Sequence, residues 1–159
     1  MYSLTINTPV GYLELTSNET ALISVSFVNA FNDPSEKLPA ILLETKSQLN
    51  EYFNGKRKKF NLKLAPGGTD FQQKVWNEVL KVNFGETASY LAIAKATGSE
   101  KNTRAVGLAN GKNPIPIIIP CHRIIGTNGK LTGYAGGIDK KRWLLKHELD
   151  YSDKIDLLF

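Results

Sequence analysis

The sequence contains a single cysteine, Cys121, among 159 residues. An intramolecular disulfide is therefore impossible, and a cysteine-based zinc cluster cannot be assembled from one chain. No apolar run approaches the roughly 18–20 residues that span a bilayer. The start, Met1-Tyr2-Ser3-Leu4, carries neither a basic n-region nor a long apolar core. Repeats and low-complexity segments are absent too. These absences point to an intracellular protein with no membrane role, cytoplasmic in a prokaryote and nuclear if eukaryotic. What is present is an ordinary folded composition, 42% hydrophobic, 9% aromatic and 22% charged with 13 Gly and 7 Pro, which excludes disorder, coiled coil and collagen. The length suits one ordinary domain or two small ones. The lone thiol is left with two uses, reactive chemistry or plain packing.

Charge is unevenly spread. The overall +5 is modest, and residues 1–66 contribute seven basic and six acidic side chains. Between Thr87 and His147, ten basic residues face only Glu100 and Asp139, a local net of +8. From Glu148 onward the sign reverses to −3. A polyanion is the natural partner of such a middle stretch, because each phosphate neutralised releases counterions.

Hydrophobic periodicity divides the chain in two. Tyr2, Leu4 and Ile6, then Leu13 and Leu15, then Ala21, Ile23, Val25 and Phe27 alternate with polar residues, which predicts an antiparallel meander. A helix follows from Pro39 to about Gly55 with Leu42, Leu49 and Phe53 on one stripe, then a basic turn Lys56-Arg57-Lys58-Lys59 and a strand through Phe60, Leu62 and Leu64. The Ala65-Pro66-Gly67-Gly68 stretch separates an N-terminal α/β domain over 1–66 from a C-terminal domain over 67–159. Thr69 and Gln72 have capping-box spacing ahead of a helix with Phe71, Val75 and Val79 inward. Two short helices, about 89–97 and 102–109, meet at Gly98-Ser99-Glu100-Lys101, the layout of a helix-turn-helix. Ile115–Ile119, punctuated by Pro114, Pro116 and Pro120, reads as a rigid extended segment. A Gly-rich stretch over 126–137 leads into a last helix with Ile138, Leu145 and Leu149 inward. His147 reads as surface, Trp76 and Trp143 as core. The fold class is α+β.

The thiol sits in Pro120-Cys121-His122-Arg123. Proline presets the backbone direction before it, while His122 offers a base and Arg123 a fixed cation, both of which favour thiolate. In an extended chain neighbours point opposite ways, so Cys121 and His122 need a turn or a water to communicate. Residues and spacing alone reach a DNA-binding module with a poised thiol.

Ile119-Pro120-Cys121-His122-Arg123-Ile124, preceded by Asn110-Gly111-Lys112-Asn113-Pro114-Ile115-Pro116 and followed by Gly133-Tyr134-Ala135-Gly136-Gly137, resembles the active-site signature of the O6-alkylguanine-DNA alkyltransferases, the methylated-DNA–protein-cysteine methyltransferases. The resemblance runs from about Thr69 to Leu149. It implies an RNase H-like N-terminal sheet with a helix, and a mostly helical, winged helix-turn-helix-like C-terminal domain. It also implies irreversible, single-turnover repair of double-stranded DNA carrying O6-alkylguanine, with O4-alkylthymine as a lesser substrate. Such a protein is a monomer that needs no cofactor and no metal, binds the minor groove and flips the damaged base.

By position, the resemblance makes Cys121 the alkyl acceptor. His122 would be its base through a water, and Glu148 the carboxylate holding that histidine. Tyr90 would press on the 3′ phosphate and help protonate the leaving guanine, and Arg104 would fill the gap left by the flipped base. Ala105 and Gly107 would let the second short helix approach DNA, and Asn113 would brace the two halves of the site. Arg123 would tie the loop down, while Tyr134, Ala135 and Gly136 would shape the base pocket. Ala135 stands where some relatives carry a serine hydroxyl. The readings against it are a lesion sensor or transcription factor without chemistry, and a cysteine hydrolase using Cys121 and His122.

Overall fold

A computed structural model describes residues 1–152, so the tail of the expected C-terminal domain, 153–159, lies outside the described residues. The chain divides into two compact units, Met1–Gly67 and a second beginning at Gly68.

In the first unit, β1 (Tyr2–Thr8), β2 (Gly11–Ser17) and β3 (Leu22–Val28) form an antiparallel sheet in sequence order. Leu4 pairs with Leu15 and Ile6 with Leu13, while Leu13 and Leu15 face Phe27 and Val25 on the other side. The central strand buries every second residue, Leu13, Leu15 and Ser17, against α1 (Ala40–Phe53), whose inward side chains are Ile41, Leu42, Thr45, Leu49 and Tyr52. Proline caps that helix as Pro39, where its missing N–H costs nothing.

Two expectations fail in this unit for identifiable reasons. The alternation through Ile23 breaks because a bulge between Thr16 and Ser17 pairs Ser17 with Leu22. Leu22 is consequently buried in place of Ile23. The strand expected over Phe60, Leu62 and Leu64 reduces to a single bridge from Leu64 to Leu22. Asn61 has its backbone groups taken by the Gln48 side chain, which donates to the Asn61 carbonyl at 3.0 Å and accepts from its N–H at 2.9 Å.

The second unit begins with α2 (Asp70–Val79), entered through the expected box: Gln72 N–H donates to the Thr69 hydroxyl, and the Gln72 side chain accepts from Thr69 N–H. Then come β4 (Ala88–Ser89), α3 (Tyr90–Ala96), a 3-10 turn Glu100–Asn102, α4 (Thr103–Gly111), a 3-10 turn Cys121–Arg123, β5 (Ile124–Ile125) and α5 (Ile138–Asp150). Ser89 caps α3 by accepting from Ala92 N–H, and Gly98 takes φ +128°, a left-handed value that lets the chain turn sharply toward α4. The Trp76 indole donates to the Ala109 carbonyl at 2.9 Å, locking α2 to the end of α4. Strands β4 and β5 pair in parallel, Ala88 with Ile124. That pairing sets the start of α3 beside the segment that follows Cys121.

Candidate active site

The cysteine stands at the end of a tightly folded loop. Ile119 N–H donates to the Ile115 carbonyl at 2.9 Å, and Ile117 is driven to φ +75°, unusual for a β-branched residue and a local strain. The expected extended segment is therefore a turn. Asn113 holds it closed: its amide donates to the Ile119 carbonyl at 2.8 Å and its oxygen accepts from Ile115 N–H at 2.9 Å. Asn110 adds a donation to the Cys121 carbonyl at 3.3 Å. Sequence periodicity has no term for such side-chain clamps, which is why the turn was illegible.

Cys121, His122 and Arg123 then wind into a 3-10 turn and are all buried. The nucleophile candidate is 4% exposed. Burial pushes its thiol up to about 11, more than the nearby Asn113 amide and Lys141 charge lower it. The expectation of an acidified thiol is thus reversed at rest, because the apolar surroundings outweigh the neighbouring donors.

His122 Nε2 lies 2.6 Å from Glu148 Oε2. Arg123 grips the same carboxylate from the other side, Nε to Oε1 at 2.7 Å and Nη2 to Oε2 at 3.1 Å, while its Nη1 donates to the Val82 carbonyl at 2.7 Å. Burial alone would raise the Glu148 carboxyl, but the His122 contact and the Arg123 guanidinium hold it well below the usual carboxylate range. Burial lowers the His122 imidazole, against the pull of Glu148. An ionised Glu148 can only accept, so His122 presents N–H at Nε2 and a lone pair at Nδ1. That Nδ1 has no bond to any protein group among the described residues.

Beside this turn a cavity of about 610 Å³ is lined by Tyr90, Arg104, Gly107, Leu108, Thr132, Tyr134 and Ala135 among others. Arg104 and Ala105 are exposed on α4. Ala105 and Gly136 are not part of the lining, and neither is Cys121. Tyr134 links the two regions: it lines the cavity, its hydroxyl oxygen is buried, and burial first, with the neighbouring Cys121 and Glu148 adding to it, raises its phenol well above the ordinary value. Tyr90 is half-buried, and its hydroxyl shares a hydrogen bond with the Thr132 hydroxyl at 2.5 Å.

Helix α5 is rotated from its expected setting. Lys141, Leu144, His147 and Glu148 are inward, whereas Leu149 is 53% exposed. Polar anchors decide this face, since Lys141 donates to the Ile124 carbonyl and Glu148 meets His122 and Arg123. His147 is buried, stacked on the half-buried Trp143 at 4.9 Å, not on the surface. Lys141, Asn110 and Thr132 had no role in the sequence reading. The spacing of seven between Lys141 and Glu148, two helical turns, was the one available signal. Among the described residues, no helix is long and apolar enough to cross a membrane, and no cluster could hold a metal ion.

Comparison with known proteins agrees in both units. A family model described as 6-O-methylguanine DNA methyltransferase, DNA binding domain, matches residues 70–149, and one described as its ribonuclease-like domain matches residues 1–66. A methylated-DNA–protein-cysteine methyltransferase of Methanosarcina barkeri is 47% identical over 155 residues, covering 93% of this chain and 97% of the relative. The crystal structure of Mycobacterium tuberculosis O6-methylguanine methyltransferase is similar at TM-score 0.85 and 44% identity, covering 96% of this chain and 95% of that one. A structure of the same organism's OGT in complex with DNA is similar at TM-score 0.86 and 43% identity, with 94% of each chain covered.

Proposed function

The chain belongs to the 6-O-methylguanine DNA methyltransferase family, whose members repair DNA by alkyl transfer to a cysteine, and from that premise we propose that Cys121 is the acceptor and O6-alkylguanine in double-stranded DNA the donor. The observation that carries this reading is the buried line from Glu148 through His122 toward the one cysteine of the chain. On this reading the protein acts as a monomer in the cytoplasm.

The basic helix-turn-helix places α4 against the minor groove. The damaged guanine leaves the stack, at a cost of a few kcal/mol that a mispairing lesion lowers, and enters the cavity beside Tyr134 and Ala135. Arg104, exposed on α4, fills the space it vacates. The Cys121 proton passes through a water to the His122 Nδ1 lone pair, and ionised Glu148 stabilises the imidazolium so formed. The sulfur attacks the alkyl carbon; the S–C bond forms as the C–O6 bond breaks, and the electron pair leaves with the guanine. The base gains a proton at N3 with the help of the Tyr90 hydroxyl. The product thioether is stable, so each molecule acts once.

A thiol pushed up to about 11 fits a protein that waits for rare lesions. It stays neutral and unreactive until substrate and base are both in place. Incubation with a duplex containing one O6-methylguanine, followed by intact mass, tests the reading. One methyl is gained by the wild type and none by Cys121→Ala; repeated turnover, or no gain in the wild type, refutes it.

A further inference from the structure

Gly85 lies in the connection between α2 and β4, in a turn closed by Glu86 N–H, which donates to the Asn83 carbonyl at 3.0 Å. It takes φ +78°, in the left-handed region where a side chain costs roughly 1–2 kcal/mol. In this conformation its N–H donates to Glu148 Oε1 at 3.3 Å. Space demands glycine as well. A Cβ on residue 85 would lie 2.8 Å from the Ser152 Cβ, nearer than real Cβ atoms approach. Ser152 is buried and tied to the end of α5, its N–H and its hydroxyl both donating to the Leu149 carbonyl.

The same connection meets the Arg123–Glu148 pair at two further points. The Val82 carbonyl accepts from Arg123 Nη1 at 2.7 Å, and the Phe84 ring centre lies 5.9 Å from the Arg123 guanidinium carbon. Gly85 is the part of it that reaches the carboxylate. The oxygen it holds, Oε1, is the one turned away from His122, which meets Oε2. A donor on Oε1 draws charge off the carboxylate and fixes its plane, so it acts on the bond that Oε2 makes.

We propose that Gly85 is a positioning residue for alkyl transfer: its backbone N–H, brought within reach by a left-handed turn and an approach to Ser152 that only glycine allows, holds Glu148 and so sets how strongly that carboxylate draws a proton onto His122. This rests on the reading of His122 as the base. The charged and titratable groups facing the His122–Glu148 pair are Cys121 and Arg123 on the 3-10 turn, Lys141 and His147 on α5, and Tyr134 on the pocket loop. None of them changes in the variants below, so a shift at His122 reports the Gly85 contact.

The test reads the His122 ring separately from repair. The full-length protein is made with glycolic acid in place of Gly85, a backbone ester that exchanges the N–H for an oxygen and leaves every side chain as it was. The His122 ring is then titrated by nitrogen NMR, its signals told from those of His147 with a His122→Gln sample. With an acceptor where the donor stood, the imidazolium is favoured, and the His122 midpoint is expected to rise by about half a pH unit. Gly85→Ala, pushed off Glu148 by Ser152, should shift it in the same direction, and adding Ser152→Gly should return it to the wild-type value. The acid limb of single-turnover repair of an O6-methylguanine duplex should move with the midpoint. An ester variant with the wild-type midpoint overturns the proposal, as does a Gly85→Ala shift that Ser152→Gly leaves in place. A midpoint that moves while the repair limb stays still would sink His122 as the base instead, and the Gly85 contact would stand.

Discussion

Glu148 Oε2 lies 2.6 Å from His122 Nε2 while both of its oxygens are also held by Arg123. One carboxylate therefore sets the tautomer of His122, the base in the proposed reaction, and anchors the turn that carries Cys121, the proposed nucleophile. On that proposal, chemistry and stability are joined at this side chain.

Acid should reveal that junction. Both Glu148 and His122 have folded pKa values below their ordinary 4.5 and 6.5. Stability from each is complete above the ordinary value and is lost as pH falls toward the folded one. The urea midpoint is expected to decline as pH drops below 6.5, and further below 4.5. Glu148→Gln should remove the lower limb, destabilise the protein by up to about 3–5 kcal/mol and slow repair by about 100-fold or more. A midpoint that stays level down to the carboxylate range contradicts the buried pair.

The thiol of the DNA-free protein should behave as an ordinary buried one. Iodoacetamide labelling is expected to be slow at neutral pH and to climb about tenfold per pH unit toward a plateau near 11. A plateau at neutral pH would show a resting thiolate and reverse the assignment.

Arg104 is exposed on α4 at the cavity rim. Arg104→Ala should weaken duplex binding and repair by at least about tenfold, about 1.4 kcal/mol. Reaction with a free O6-alkylguanine base should persist, since that substrate needs no flipping. Equal losses on duplex and free base would exclude the finger role.

Gly107 lies inside α4, where glycine weakens a helix by roughly 0.5–1 kcal/mol relative to alanine. A Cβ there would meet only the Tyr90 Cδ1 atom at 4.0 Å, an ordinary contact, so the fold itself does not demand glycine. Gly107→Ala should raise the melting temperature yet lower duplex affinity by about tenfold. An affinity equal to that of the wild type would show that the helix does not approach DNA closely at this position.

Local elements were largely readable because their causes are local. The Thr69–Gln72 box, the Gly98 stop and the clean alternation of Leu13 and Leu15 depend on neighbours within a few residues. The failures share another cause. Ile117 takes a left-handed turn because Asn113 clamps both sides of it, and Asn61 leaves a strand because Gln48 captures its backbone. Helix α5 turns Lys141 and Glu148 inward because their partners sit on a different segment. Hydrophobic pattern counts leucines, and at Leu149 it counted one that faces water.

By itself, the chain determined that there is one thiol, and hence one possible repair event per molecule. It also determined that the thiol lies in a Pro-Cys-His-Arg run behind a basic helix-turn-helix. Tertiary structure decided what that run does. It wound Cys121 and His122 into one turn, brought Glu148 across to fix the histidine tautomer, and buried the sulfur, which pushes its pKa up where His122 and Arg123 as mere neighbours would favour thiolate. The reason is physical: residue type and spacing convey which groups are available, whereas ionisation depends on the water removed and the charges brought close, and both are set only when distant segments pack.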